Sequence, residues 1–133
     1  METKRYIIAG ILIVILLLIV IWVAYAPGGA RLTEMDNGKT LTVAVGQELD
    51  VMLKANPTTG YTWVIVEPTD ERIIRQMGEL EFEPESDALG AGGVQIIRFE
   101  VVGAGQTTLK LMYHRPWESV EPLQTFSVTL IAQ

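Results

Sequence analysis

Glu48-Leu49-Asp50-Val51-Met52-Leu53-Lys54-Ala55-Asn56-Pro57-Thr58-Thr59-Gly60-Tyr61-Thr62-Trp63-Val64-Ile65-Val66 reads as a strand, a fixed turn and a second strand. From Glu48 to Ala55, the apolar Leu49, Val51 and Leu53 alternate with Asp50, Met52 and Lys54, the period-two pattern of a strand buried on one face. Tyr61, Trp63 and Ile65 share one face of the second run. Between the runs, Pro57 fixes its own φ and biases Asn56 toward an extended backbone. Gly60 lets the chain turn back where a Cβ would clash. Thr58 and Thr59 stand at the tip, with no apolar neighbour to draw them inward. Taken alone, such a stretch is a hairpin turn.

The same grammar extends in both directions. Leu32–Met35 and Lys39–Val45 flank the turn signal Asp36-Asn37-Gly38. Gly78–Glu83 is a short acidic strand, and residues 70–77 have room for one helical turn. Val94–Val102 directs Ile97, Phe99 and Val101 inward. Gln106–Tyr113 does the same with Thr107, Leu109, Leu111 and Tyr113, and Gln124–Ala132 with Phe126, Val128 and Leu130. Seven to eight short strands in about a hundred residues predict an all-β fold, an immunoglobulin-like β-sandwich.

Strand parity then sorts the connections. If each strand runs against its predecessor, successive connections alternate between the two ends of the sandwich. Asn56–Gly60, Pro84–Gly93 and His114–Leu123 fall at one end. Gly46-Gln47, residues 67–77 and Gly103-Ala104-Gly105 fall at the other. The unusual residues all belong to the first set: Asn56 to Tyr61, Leu89-Gly90-Ala91-Gly92-Gly93, and Arg115-Pro116-Trp117. A scaffold that concentrates odd chemistry on one set of loops presents a binding surface.

Composition excludes several function classes. The chain has no cysteine and one histidine, His114, so disulfides, thiol nucleophiles and His-rich metal clusters are not expected. His114 reads as a solvated strand-end residue with no serine or paired acid positioned to work with it. A net charge of −6 argues against nucleic-acid binding. The glycine run lacks the following helix and the Lys or Ser/Thr of a phosphate loop, so no small-molecule cofactor is expected. The chain reads as a non-enzyme. The alternating acids Glu79, Glu81, Glu83, Glu85 and Asp87 would keep an edge strand solvated and could steer a cationic partner.

The N-terminus is organised differently. After a tail of residues 1–6, Ile7 to Ala26 is an uncharged run of 20 residues, about the ~30 Å of a bilayer core if helical. Lys4 and Arg5 precede it, and Trp22 and Tyr25 lie near its far end. The expectation is one transmembrane helix over 7–26, with the following domain outside the cytoplasm. The alternative is secretion after cleavage at Ala24-Tyr25-Ala26, where Pro27 would hinder processing. Residues 27–30 form a linker, and 31–133 the folded domain.

The three loops together resemble the chagasin family of cysteine peptidase inhibitors. The resemblance runs from about Thr33 to Ala132. It is carried by Asn56-Pro57-Thr58-Thr59-Gly60-Tyr61-x-Trp63, by Leu89 to Gly93, and by Tyr113-x-Arg115-Pro116-Trp117, in the family's order. It implies a reversible competitive inhibitor whose partner is a papain-like cysteine peptidase. Thr58 and Thr59 would approach that peptidase's catalytic Cys–His pair. Leu89 to Gly93 would lie along the substrate groove, and Arg115 and Trp117 would clamp the opposite wall. The N-terminal apolar run is not part of the core family pattern, and His114 stands where an apolar residue is often found. The competing reading is a membrane-anchored adhesion or ligand-binding module without inhibitory activity.

Overall fold

The computed structural model describes residues 3–8, 10–14, 28–66 and 69–133. Eight strands form two four-stranded sheets: β1 (Ala30–Leu32), β2 (Thr40–Val43), β3 (Glu48–Ala55), β4 (Thr62–Ile65), β5 (Ile74–Pro84), β6 (Gly93–Val101), β7 (Gly105–His114) and β8 (Gln124–Ala132). One sheet has the order β1-β3-β6-β5 and the other β2-β8-β7-β4. The division of strands between the layers is that of an immunoglobulin-like sandwich, except that β1 runs parallel to β3.

The alternating faces meet where period two directs them. Leu49, Val51, Leu53, Phe99 and Val101 from one sheet pack against Trp63, Leu109, Leu111, Phe126, Val128 and Leu130 from the other, and all are buried. Each such side chain contributes about 1.5–3 kcal/mol relative to exposure. The core cluster lies entirely between Leu32 and Ala132.

Three local expectations change. The turn before Gly60 does not close a hairpin, because β3 and β4 belong to different sheets and the chain crosses the sandwich there. Asp36-Asn37-Gly38 also joins different sheets: β1 runs parallel to β3, and β2 parallel to β8. Thr33 ends β1 by capping a short 3₁₀ turn, Glu34–Asp36, whose Asp36 carboxylate accepts from the Thr33 N–H at 2.9 Å. Finally, β5 begins at Ile74, not Gly78, so the one-turn helix considered for 70–77 gives way largely to strand. It is an edge strand with a register break between Met77 and Glu81 and Gly78 at φ 67°.

The N-terminal expectation is corrected. Residues 3–8 and 10–14 are helical. Among the described residues, no helix is long and apolar enough to cross a membrane. That overturns the transmembrane helix over 7–26, and with it the membrane as partner and the single-pass localisation. Positions 9 and 15–26 of the apolar run, and the cleavage site considered within it, lie outside the described residues.

Candidate functional site

The connection between β3 and β4 is held by its own side chains. Asn56 is extended (φ −138°) and caps the 3₁₀ turn Pro57–Thr59, with Pro57 supplying the preset φ of a first turn position. Its Oδ1 accepts from the Thr58 N–H at 3.2 Å and from the Thr58 hydroxyl at 2.5 Å. The Thr59 hydroxyl donates to the Asn56 carbonyl at 2.6 Å. Gly60 ends the turn at φ 82°, its N–H donating to the Pro57 carbonyl at 3.0 Å. Both threonine hydroxyls therefore turn back onto Asn56, and the exposed tip is blunt and ordered.

The other two loops are tied to this one directly. The Asn56 Nδ2 donates to the Gly90 carbonyl at 3.1 Å, joining the first loop to the glycine arch. Arg115 Nε donates to the Thr59 carbonyl at 2.9 Å, joining it to the third loop. The Trp117 ring lies against Gly60, where an added Cβ would stand 2.2 Å from its Cη2. Gly60 is thus required twice, for its left-handed φ and for the ring above it. Trp117 nonetheless remains 69% exposed, and Leu89 at the arch is fully exposed.

Within the arch, the Ala91 N–H donates to the Ala88 carbonyl at 3.1 Å, and Glu85 N–H to the Gly92 carbonyl at 2.9 Å. Gly93 is buried where β5 and β6 meet, and a Cβ there would come within 2.1 Å of the Glu83 carbonyl. Of the sequence-predicted residues, Asn56–Tyr61, Leu89–Gly93 and Arg115–Trp117 all lie at one end of the sandwich, and the three loops touch.

Arg115 is engaged within the rim itself. Its guanidinium sits 4.5 Å from the Tyr61 ring centroid and pairs with Glu118 at 3.0 Å, besides its bond to Thr59. It braces the loop that carries Trp117. Pro116 is exposed between them.

Beneath the loops, the Tyr113 ring packs between Tyr61 and Trp63, with centroids at 5.2 and 5.1 Å. Its hydroxyl accepts from the Asn56 N–H at 2.9 Å. The Trp63 Nε1 donates to the Lys54 carbonyl at 3.0 Å, linking β4 to β3 across the layers. Sequence reasoning missed Glu118 and Gln95. Gln95 shares the inward parity of Ile97 and Phe99, and that polar residue on a buried face was the available signal. Among the described residues no group of three His, Cys, Asp or Glu is placed to hold a metal ion.

Comparison with known proteins agrees with this geometry. Residues 42–130 match the chagasin family of peptidase inhibitors. Chagasin of Trypanosoma cruzi is 41% identical over 90 residues, covering 65% of this chain and 82% of chagasin. Amoebiasin-2 of Entamoeba histolytica is 34% identical over 102 residues, covering 75% of this chain and 82% of the relative. The crystal structure of EhICP2, a cysteine protease inhibitor from Entamoeba histolytica, superposes with a TM-score of 0.70 at 27% identity, covering 80% of this chain and 96% of that one. By the match over residues 42–130 and the identity to chagasin, the chain belongs to the chagasin family of peptidase inhibitors.

Proposed function

We propose that residues 31–133 form a reversible competitive inhibitor of papain-like cysteine peptidases that fills the active-site cleft with three adjacent loops. The chain is an inhibitor and not an enzyme, as its family membership establishes. The observation that carries the loop assignment is the pair of direct bonds, Asn56 to Gly90 and Arg115 to Thr59, which unite three sequence-distant loops into one rim.

The physical account follows from that rim. A competitive inhibitor must occupy the cleft without offering a peptide bond in attack geometry. The compact Pro57–Thr59 turn, with Thr58 and Thr59 at its tip, meets that need better than an extended strand. At Gly90 nothing stands within 4 Å of where a Cβ would be, so a partner's main chain can approach the arch there, beside the exposed Leu89. Trp117 supplies a large apolar face, and Arg115 holds its loop in place. Loops already bonded to one another lose little entropy on docking. An interface of ~800 Å² per partner is the expected scale.

The test is inhibition of a papain-like peptidase by the chain, with the substrate concentration varied. The expected result is tight inhibition relieved by excess substrate. A demonstrably folded chain that leaves the peptidase unaffected at micromolar concentration would overturn the proposal in favour of a non-inhibitory binding module.

A further inference from the structure

We propose that Gln95 is the positioning residue that sets the spacing between the threonine loop and the glycine arch, an inference that rests on the inhibitor reading above. Gln95 lies in β6, paired in its own sheet with Leu53 of β3 and Phe82 of β5, and it is 3% exposed. Its side chain crosses to the other sheet. There Oε1 accepts from the Trp63 N–H at 3.1 Å, and Nε2 donates to the Trp63 carbonyl at 2.9 Å. These are the two groups through which a neighbouring strand would bond Trp63. No strand is there, because β4 is the last strand of its sheet. A single amide takes the place of that missing strand.

The location of this tie matters more than its strength. Gln95 stands two residues after Gly93, which ends the arch, and Trp63 stands two residues after Tyr61, which ends the threonine loop. At its β3 root the threonine loop is already fixed to the arch, since Ala55 pairs with Gly93; the tie fixes its other root, in β4 of the opposite sheet, to β6. The apolar contacts between the layers are non-directional and resist sliding weakly, whereas a two-point amide contact fixes distance and direction together. Trp63 in turn packs on Tyr113, whose hydroxyl holds the Asn56 N–H. Displacing β4 would thus reach Asn56 by two routes, through the loop itself and through Tyr113.

A purely structural role predicts something different. A buried amide that only satisfies polar groups would lower the folded fraction when lost, while the molecules that remain folded would inhibit normally. The decisive experiment separates those quantities in the full chain. Gln95→Met keeps the approximate volume and removes both hydrogen bonds. Gln95→Glu, nearly isosteric, serves if the first variant does not fold. Titration against a papain-like peptidase gives the competent fraction, and displacement kinetics give the dissociation rate. The expected result is an unchanged competent fraction with dissociation faster by about tenfold, the scale of losing one or two hydrogen bonds. Amide hydrogen exchange should also quicken at Thr58–Tyr61 and Gly90–Gly93, with Gly46 and Gln47 at the other end unaffected. A dissociation rate within about twofold of wild type, or unaltered exchange at both loops, overturns the positioning role alone. A wild-type chain that fails to slow the peptidase overturns the inhibitor reading, and the role with it.

Discussion

The two ends of the sandwich are built on opposite plans. At the end away from the site, connections are tied to the strands mainly by backbone: Gly46 N–H to the Val101 carbonyl at 2.7 Å, Val101 N–H to the Gln47 carbonyl at 2.9 Å, and Val102 N–H to the Ile73 carbonyl at 2.8 Å, with Gln47, Asp70 and Thr107 adding side-chain bonds. At the site end, the loops are held largely by the side chains of Asn56, Tyr113 and Arg115. Backbone ties demand close approach and little else, so they suit a region whose task is to keep the sheets together. Side-chain ties hold loops apart at set distances and leave Trp117 and Leu89 facing outward. On the proposed reading, one end keeps the sheets together and the other carries recognition on a braced frame.

That division breaks if a change at the first end alters recognition. Gly103 is the sharpest probe, since a Cβ there would sit 2.2 Å from the Arg72 carbonyl oxygen, which is backbone and cannot swing away. Gly103→Ala should lower stability by about 3 kcal/mol through overpacking. Thermal or urea unfolding gives the loss, and titration of the peptidase should find the folded molecules as potent as wild type. A weaker inhibition constant per folded molecule would mean that the ends are coupled.

The reciprocal experiment is Trp117→Ala. With its ring 69% exposed, Trp117 contributes little to the core, so the melting temperature should hardly move. Affinity for the peptidase should fall by about 2 kcal/mol, roughly thirtyfold. Loss of the ring also removes the cover from Gly60, so a structure of the variant should show whether the threonine tip stays in place. An inhibition constant unchanged by this substitution would remove Trp117 from the interface.

How much of this was legible in sequence depends on where the physical signal lay. The core strands were legible because one face is buried, and Leu49, Val51 and Leu53 must then recur every second residue. Loop parity was legible once each strand was taken to run against its predecessor, because successive connections then alternate between the two ends. β5 was partly hidden: residues 75–81 are all exposed, so no face alternates, and the break at Met77–Glu81 disrupts the period further. The ties between loops were hidden more deeply, because Gly90, Thr59 and Trp63 accept through carbonyl groups that every residue possesses. The bond from Arg115 to Thr59 was hidden for that reason. The apolar run from Ile7 to Ala26 shows the opposite failure. Its composition matches a membrane span, yet among the described residues no helix is long and apolar enough to cross a membrane.

The smallest expected effect tests a third region, the turn Glu34–Asp36, which borders the site end without bonding to any of the three loops. The Thr33 N–H, and after it Lys39 at 3.3 Å, holds the Asp36 carboxyl below its ordinary pKa. A carboxyl whose pKa is lower folded than unfolded binds fewer protons in the native state, so it stabilises the fold above the unfolded value of about 4. That contribution disappears as pH falls through the lowered folded value. Lys39 is largely exposed, so solvent screens the pair, and the capping bond to Thr33 carries most of the effect. Asp36→Asn should therefore cost under about 1 kcal/mol near neutral pH, with its unfolding curve converging on that of wild type in acid. Inhibition should be unmoved throughout, because this turn braces β1 against β3 and not the rim. If Asp36→Asn instead weakened inhibition, the frame that positions the loops would have to extend beyond Asn56, Tyr113 and Arg115 to the 3₁₀ turn beside them.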